Sequence, residues 1–445
     1  MNQIFIHPNK IILLIFSLLI LLVSCQPADI DPILSTDLPA PVCSKSDISE
    51  VNEVFIGATA PFSKPGAASE GVAMMAAFQI AQKDINEAGG VLGKNIRVIV
   101  DDTAGLPERG REISERLIKE SCVVGIVGEY HSDVGLAIME VAHQNHIPTI
   151  FTETYSEDIT SSGYPEIFRI APPTSFTAQV DAKWLAAVGD YNQDGALFAV
   201  VIAEDTNFGV NQIESSELWF PEYGIEIKSL ETDFSNDDFS SVIAIIKEYH
   251  QRPDAIFIKV TGQSSFILLQ QLLDADLGPR NQTIIAANQV ALNHAEYWEH
   301  IPEGDFIVVP RIGPWPPMIN KIGLDFAQKY QEIFEKWPEA YAFEAYDSLW
   351  IMADAINRAG SIDPDAIIDA LEKTDIELAS GRYYFPFGKD NPPTDYIPAY
   401  MWHQWPDVPI FYLQYTEINQ LPQDMDVLWP PAYQTADQPI IRPSR

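Results

Sequence analysis

Four stretches of the chain hold residue types spaced as chemistry would need them. Gly89 to Lys94 has the outline of a phosphate-cradling loop, in which backbone N–H groups and a lysine surround the anion. It is one residue short and ends Lys-Asn, so it reads as a helix stop followed by a tight turn. Asp190-Tyr191-Asn192-Gln193-Asp194-Gly195 copies the start of a calcium loop, but the position that must supply a bidentate carboxylate is Val201, in a strand-like run. His143 and His146 lie three apart near a helix end with no third ligand nearby in sequence, and are expected to be solvated. Asp101 and Asp102 are neighbours on an extended run, which points them to opposite faces and disfavours shared proton transfer. Neither Gly-x-Ser-x-Gly nor His-Glu-x-x-His occurs. The reading is a protein that is not an enzyme and carries no cofactor and no metal.

Charge and composition narrow the partners. The 445 residues carry 63 acidic against 27 basic side chains, a formal net charge of −36, which repels a phosphate backbone and excludes a nucleic-acid partner. With 47% hydrophobic and 20% charged residues the chain has enough apolar material for large cores, and its length suggests two or three domains. Near the N-terminus, Lys10 precedes an apolar run from Ile11 to Val23 broken only by Ser17, then Ser24 and Cys25. The run is shorter than the ~20 residues that span hydrocarbon, so residues 1–24 read as a signal peptide. Leu22-Val23-Ser24-Cys25 resembles a bacterial lipobox, which makes Cys25 the expected lipidation site; an ordinary signal with an incidental cysteine is the alternative. Residues 25–51, with Pro27, Pro32, Pro39 and Pro41, read as a semi-rigid tether that reaches up to roughly 80 Å at ~3.1 Å per residue. The expected location is extracytoplasmic, with the body tied to the membrane by its lipid anchor.

From Val51 onward, strand-like runs alternate with helical periodicity. Val54–Ala58, Ile96–Val100, Val123–Val127 and Thr149–Phe151 are strand-like, with helical faces between them marked by Met74, Phe78, Ala81 and Ile85, then Ile113 and Leu117, then Val134, Ile138 and Val141. A second set follows at Ala196–Ala203, Ile225–Ser229, Ala255–Val260 and Thr283–Ala287. Strand, helix, strand in this order requires crossover connections and a parallel sheet. The fold class is α/β, in two doubly wound lobes. Ala171-Pro172-Pro173-Thr174 fits one crossing between lobes, and Pro310 to Pro317 fits a second because its prolines stop strand pairing. Tyr383–Phe387 and Ile410–Tyr415 look like late strands, and the Pro-rich end beyond Leu421 is expected to wrap the surface.

These residues carry a family resemblance. Ile56-Gly57-Ala58-Thr59-Ala60-Pro61, Asp84 through Gly93, and Asp101-Asp102 are similar to the opening of type I solute-binding proteins of the branched-chain amino acid class. Val127-Gly128, Ile147-Pro148-Thr149-Ile150, Phe168-Arg169-Ile170, Phe208-Gly209, Pro253 to Phe257 and Ala345-Tyr346-Asp347 continue the match over about four-fifths of the chain. The resemblance implies two Rossmann-like lobes joined by three crossings, the periplasmic binding protein type I fold. It places lobe I at 52–171 plus 312–384, lobe II at 172–311 plus 385–420 and a tail at 421–445. It also implies a monomer that closes on a small ligand and delivers it to the permease of an ABC importer. A ligand-sensing module for a membrane receptor is the alternative, and a hydrolase on the same scaffold a remoter one.

The same resemblance implies the site. Loops at the carboxyl ends of facing strands bind the ligand, with Ser132 and the turn Glu153-Thr154-Tyr155 in the first lobe. Ser132 also suits a helix N-cap. Glu153 departs from the small residues usual there. In the second lobe Phe208 matches an aromatic lid, Thr261 stands where a tyrosine often occurs, and Asn288 stands where an acid pairs with the ligand ammonium. Tyr130 adds an aromatic wall. Without that acid, leucine, isoleucine and valine are expected to bind weakly, and an amide, an aromatic compound or a cationic solute better; Glu153 or Glu204 supplying the charge from another direction is the alternative, which keeps an unusual amino acid or amine among the ligands. The family's sheet order makes the first and third strands neighbours, so Cys43 and Cys122 are expected within reach of a disulfide, with a free buried Cys122 as the alternative.

Overall fold

Strands buried on both faces need continuous apolar runs, and the amphipathic stretches between them cover those faces. The computed structural model describes residues 52–316 and 318–436. In the first lobe the order is β1 (Glu53–Ala60), α1 (Ala68–Glu87), β2 (Asn95–Asp102), α2 (Pro107–Lys119), β3 (Ile126–Gly128), α3 (Ser132–Asn145), β4 (Thr149–Phe151), α4 (Asp158–Ser161) and β5 (Ile167–Arg169). These strands form a wholly parallel sheet in the order β2-β1-β3-β4-β5. The chain then enters the second lobe through α5 (Thr174–Val188), β6 (Phe198–Glu204), α6 (Asn207–Glu222), β7 (Glu226–Thr232), α7 (Ser240–Glu248), β8 (Ala255–Lys259), α8 (Gly262–Asp274), β9 (Ile284–Ala286), α9 (His294–His300) and β10 (Val308–Ile312). It returns to the first lobe with α10 (Lys321–Phe334), α11 (Ala340–Ala359), α12 (Pro364–Leu371) and a hairpin, β11 (Asp375–Leu378) and β12 (Gly381–Tyr384). Both α10 and α11 pack against α1. It ends in the second lobe with β13 (Ile410–Gln414) and β14 (Asp426–Trp429).

The second sheet runs β14-β13-β10-β9-β8-β6-β7, parallel from β10 to β7 and antiparallel at β13 and β14. Val200, Ile202, Ile256, Ile258, Leu268, Leu272 and Leu413 meet in its core. The first lobe buries two smaller clusters under the adjoining helices α3 and α2, Val134, Ile138 and Phe151 in one and Ile113, Leu117 and Ile126 in the other. No helix among the described residues is long and apolar enough to cross a membrane.

Three expectations need correction. Pro310 does not stop strand pairing: it lies inside β10 opposite Tyr412, and the strand continues to Ile312. The proline is tolerated because β10 pairs with β9 only at Val308, so beyond that point no partner on that side needs its missing N–H. Residues 385–405 stay with the first lobe instead of opening the second. Arg169 N donates to His403 O and Trp405 N to Arg169 O, both at 3.0 Å, which extends the exposed edge of β5, and His403 stacks on Phe168 with centroids 4.0 Å apart. The third crossing therefore falls between Trp405 and Ile410. Finally, the segment after Leu421 is not only a surface wrap, since β14 pairs with β13.

The candidate motifs of the first paragraph resolve into turns and pairs. Gly90 has φ +71°, and a Cβ there would lie 1.9 Å from Lys94 O, so the stretch is a glycine-dependent turn. Asp190 and Asp194 spend their carboxylates on backbone N–H groups of Asp194, Gly195 and Ala196. Asp101 pairs with Arg116 and Asp102 with Arg109, on separate partners. His143 and His146 are not simply solvated: their Nδ1 atoms converge on the buried Glu166 at 3.0 and 2.9 Å. Among the described residues no group of three or more His, Cys, Asp or Glu is arranged to hold a metal ion. Cys122 is disulfide-bonded, while Cys25 and Cys43 lie outside the described residues, as do the expected signal peptide and the whole of the expected tether.

Candidate functional site

Parallel strands present their carboxyl ends, and the loops that follow them, to one side of a sheet. Here the two sheets turn those ends toward each other around a cleft of about 320 Å³. The first lobe lines it with Tyr130 and His131 after β3, Ser132 and Asp133 at the start of α3, and Glu153 and Tyr155 after β4. The second lobe supplies Glu204 at the end of β6, Thr206 and Phe208 just beyond it, Phe234 after β7, Thr261 after β8, and Asn288 and Gln289 after β9. Further hydrogen bonds cross between the lobes: Ser156 Oγ to Asn211 Oδ1 at 2.9 Å, Lys64 Nζ to Gln263 Oε1 at 3.0 Å, and Asn207 N to Asp133 Oδ2 at 3.1 Å.

Of the eight expected site residues, Tyr130, Ser132, Glu153, Tyr155, Phe208, Thr261 and Asn288 lie on the cleft wall. Thr154 does not. It is fully buried, with its methyl turned toward α3, so that a Cβ on Gly135 would come within 2.5 Å of it. Several polar side chains on the wall already have partners. Ser132 opens α3 as its first residue, the cap position being His131, and its Oγ accepts the N–H of Ser156 at 3.2 Å. Asn288 Oδ1 accepts the N–H of Val290 at 3.1 Å and caps the short turn 289–292. Thr261 donates both its N–H and its hydroxyl to Glu204 Oε2 at 2.8 Å. Arg169 reaches beneath the Glu153 turn, with Nε 2.5 Å from Gln404 Oε1 and Nη1 on the carbonyls of Ser156 and Thr154.

The electrostatics of the wall are one-sided. Asp133, Glu153 and Glu204 are acidic, and among the described residues neither lysine nor arginine lines the cleft, the buried Arg311 behind Glu153 being the cation whose charge reaches it. Burial raises Glu204 to about 7 against the donors on its two oxygens. His131 accepts the N–H of Ala67 at Nε2, 3.0 Å away, which places its proton on Nδ1, and burial lowers it to about 4, so the ring is neutral. Glu153 is the least satisfied group. Its Oε2 has a long contact of 3.4 Å from Gln289 Nε2 and its Oε1 no well-formed hydrogen bond, while the Glu344 carboxyl and the Tyr155 hydroxyl beside the group, with the Arg311 charge, hold it down against burial. Glu344 of α11 backs it. Burial raises both carboxyls, and the Glu153 charge pushes Glu344 higher still, well above the carboxylate range. The aromatic walls meet edge to face, Tyr155 on Phe208 at 5.9 Å and His131 on Phe234 at 5.4 Å.

His131, Asp133, Thr206, Phe234 and Gln289 are among the site residues that sequence reading left without a role. The rule that loops after parallel strands form the cleft would have found Phe234, just past β7, and Gln289, beside the expected Asn288. Glu344 carried a different signal, an acid in the otherwise apolar face Ala340–Tyr346.

The sequence matches the family described as periplasmic binding protein over residues 53–403. The chain belongs to the periplasmic binding protein family. Among curated proteins, the Leu/Ile/Val-binding protein homolog 1 of Brucella suis biovar 1 is 23% identical over 356 residues, 79% of this chain and 90% of that protein. The branched-chain amino acid transporter substrate binding protein LivJ of Streptococcus pneumoniae, solved with isoleucine, superimposes with a TM-score of 0.71 at 18% identity, covering 85% of this chain and all of the other. A solute binding protein of an ABC transporter from R. palustris, solved with benzoate, gives 0.68 at 18% identity, covering 87% and 99%. The periplasmic binding protein fold here is thus type I, of the branched-chain amino acid class, and its relatives are binding proteins, not enzymes. Family membership implies an extracytoplasmic setting.

Proposed function

We propose that this protein is the solute-binding lipoprotein of an ABC importer, anchored through Cys25 and capturing a small ligand between its lobes for the permease. The observation that carries the reading is the cleft itself: strand-end loops of both lobes enclose one volume of about 320 Å³, so a ligand there touches both halves at once. Cys122 being disulfide-bonded fits pairing with Cys43 in an oxidising compartment. The scaffold admits unlike ligands, as isoleucine and benzoate in the two similar structures illustrate.

The ligand is an amide, an aromatic compound or a cationic solute in preference to a branched-chain amino acid. Asn288 brings no charge to an ammonium and is already engaged with Val290 N. Residues near Pro172 and between Trp405 and Ile410 act as hinges. Calorimetry across amino acids, amides, aromatic acids and amines tests the reading, paired with small-angle scattering. A binding ligand should reduce the radius of gyration, and leucine should bind weakly; micromolar or tighter leucine binding overturns the specificity.

A further inference from the structure

The lining of the cleft limits which of those ligand classes fits, and the inference drawn here rests on the solute-binding reading above. Asp133, Glu153 and Glu204 are its charged residues. A ligand carboxylate entering this wall meets no lysine or arginine among the described residues that line it, and the start of α3, the customary anion site of a helix N-terminus, already carries Asp133 in its first turn.

The three acids differ in what they leave open. Glu204 accepts from Thr206 at Oε1 and from Thr261 at Oε2, each at 2.8 Å. Asp133 Oδ2 accepts from Asn207 N. Glu153 is 5% exposed and its Oε1 has no well-formed hydrogen bond, with the Tyr155 hydroxyl and the Glu344 carboxyl beside the group. A buried carboxylate oxygen without a well-aligned donor is costly, and the cost falls when a bound molecule supplies an N–H. Around it, Tyr130, Tyr155, Phe208 and Phe234 offer ring surfaces suited to carbon and to cationic charge.

We propose that the cleft takes a compact organic amine in its protonated form, its ammonium N–H donated to Glu153 Oε1 and its carbon skeleton held among Tyr130, Tyr155, Phe208 and Phe234. Size limits it further. At roughly 30 Å³ per water-sized group, about 320 Å³ holds on the order of ten non-hydrogen atoms. One open acceptor selects a single ammonium over a diamine, and the need for N–H selects against a quaternary nitrogen. The acidic surface, with its net charge of −36, raises the local concentration of such a cation.

The test uses the detergent-purified full-length protein and calorimetry with matched probes: 2-phenylethylamine and 3-methylbutylamine, their alcohol isosteres, phenylacetate, benzoate and leucine. 3-Methylbutylamine is leucine without its carboxylate, so the comparison isolates that group. At least one amine should bind about tenfold or more tightly than its alcohol, and more tightly than leucine, benzoate or phenylacetate. In Glu153→Gln the ratio of amine to alcohol affinity should fall by about tenfold, a difference that partial loss of folded protein does not produce. The inference is overturned if neither amine binds, if amine and alcohol bind equally, or if the ratio persists in the variant. Tight binding of leucine or benzoate would overturn it while leaving the solute-binding reading intact. Failure of every probe and of a broad thermal-shift screen would remove both.

Discussion

Asp133 Oδ2, in the first turn of α3, accepts the backbone N–H of Asn207, the first residue of α6, at 3.1 Å. One carboxylate thus sits at the N-terminal ends of two helices that belong to different lobes, where the partial positive charge of both favours it. It acts as a latch at the cleft wall.

Asp133→Ala should loosen this latch. The expected result is a larger radius of gyration for the unliganded protein and ligand affinity lower by about tenfold or more, the worth of one hydrogen bond to a charged group. Asp133→Asn retains an acceptor and should fall between. An unchanged scattering profile and affinity in the alanine variant would show that the lobes close without this contact.

Stability should decline as pH rises from 5 to 8. Burial raises Glu70, Glu129 and Glu204 from 4.5 to about 7 and Asp347 from 3.8 to about 6. Between each ordinary value and the raised one, the folded state holds a proton that the unfolded state has lost. The contribution is therefore complete below pH 4 and gone above pH ~7.5. His131, lowered from 6.5 to about 4, opposes this between those two values, but it is one group against four. The unliganded protein should melt at least ~5 °C lower at pH 8 than at pH 5. A flat or rising melting temperature would contradict the burial of these carboxyls.

Arg169 should be a stability residue with an effect on binding. It is fully buried, burial lowers it to about 9, and it spans Gln404, the carbonyls of Thr154 and Ser156, and Thr160 Oγ1. Arg169→Met would leave those acceptors unpartnered and should cost about 3 kcal/mol in urea unfolding. Because it also supports the turn that carries Glu153, ligand affinity should fall even where the variant remains folded.

The anchor separates two cysteines. Cys25→Ser should give an unprocessed precursor or soluble protein, whereas Cys43→Ser should stay on the membrane. Equal retention of both after carbonate washing, with signal cleavage verified by mass, would refute lipidation at Cys25.

Alternation of apolar runs and helical faces made both sheets legible in advance, because buried parallel strands have little choice of composition: Phe198–Glu204 is buried at every position. The late crossings were less legible. Pro310 reads as a strand breaker unless it is known that β9 stops pairing at Val308, a tertiary fact. Likewise, the affinity of 403–405 for the edge of β5 depends on Phe168 and His403 stacking across a sequence gap that no local pattern encodes. Loop positions after strands located most of the cleft, but not which side chains were already engaged. Ser132, Thr261 and Asn288 look available in sequence, and each is held by a neighbour in space.

The pairing of β14 with β13 also governs how the chain behaves in solution. β13 is buried at all five positions, Ile410 to Gln414, and its outer backbone groups are met by Asp426, Val427 and Trp429. A protein truncated after Gln420 would expose that row of N–H and C=O groups beside an apolar strand, an arrangement that templates pairing with a second molecule. The last few strand residues are therefore a solubility element, and shortened forms should form oligomers even with the ligand cleft intact.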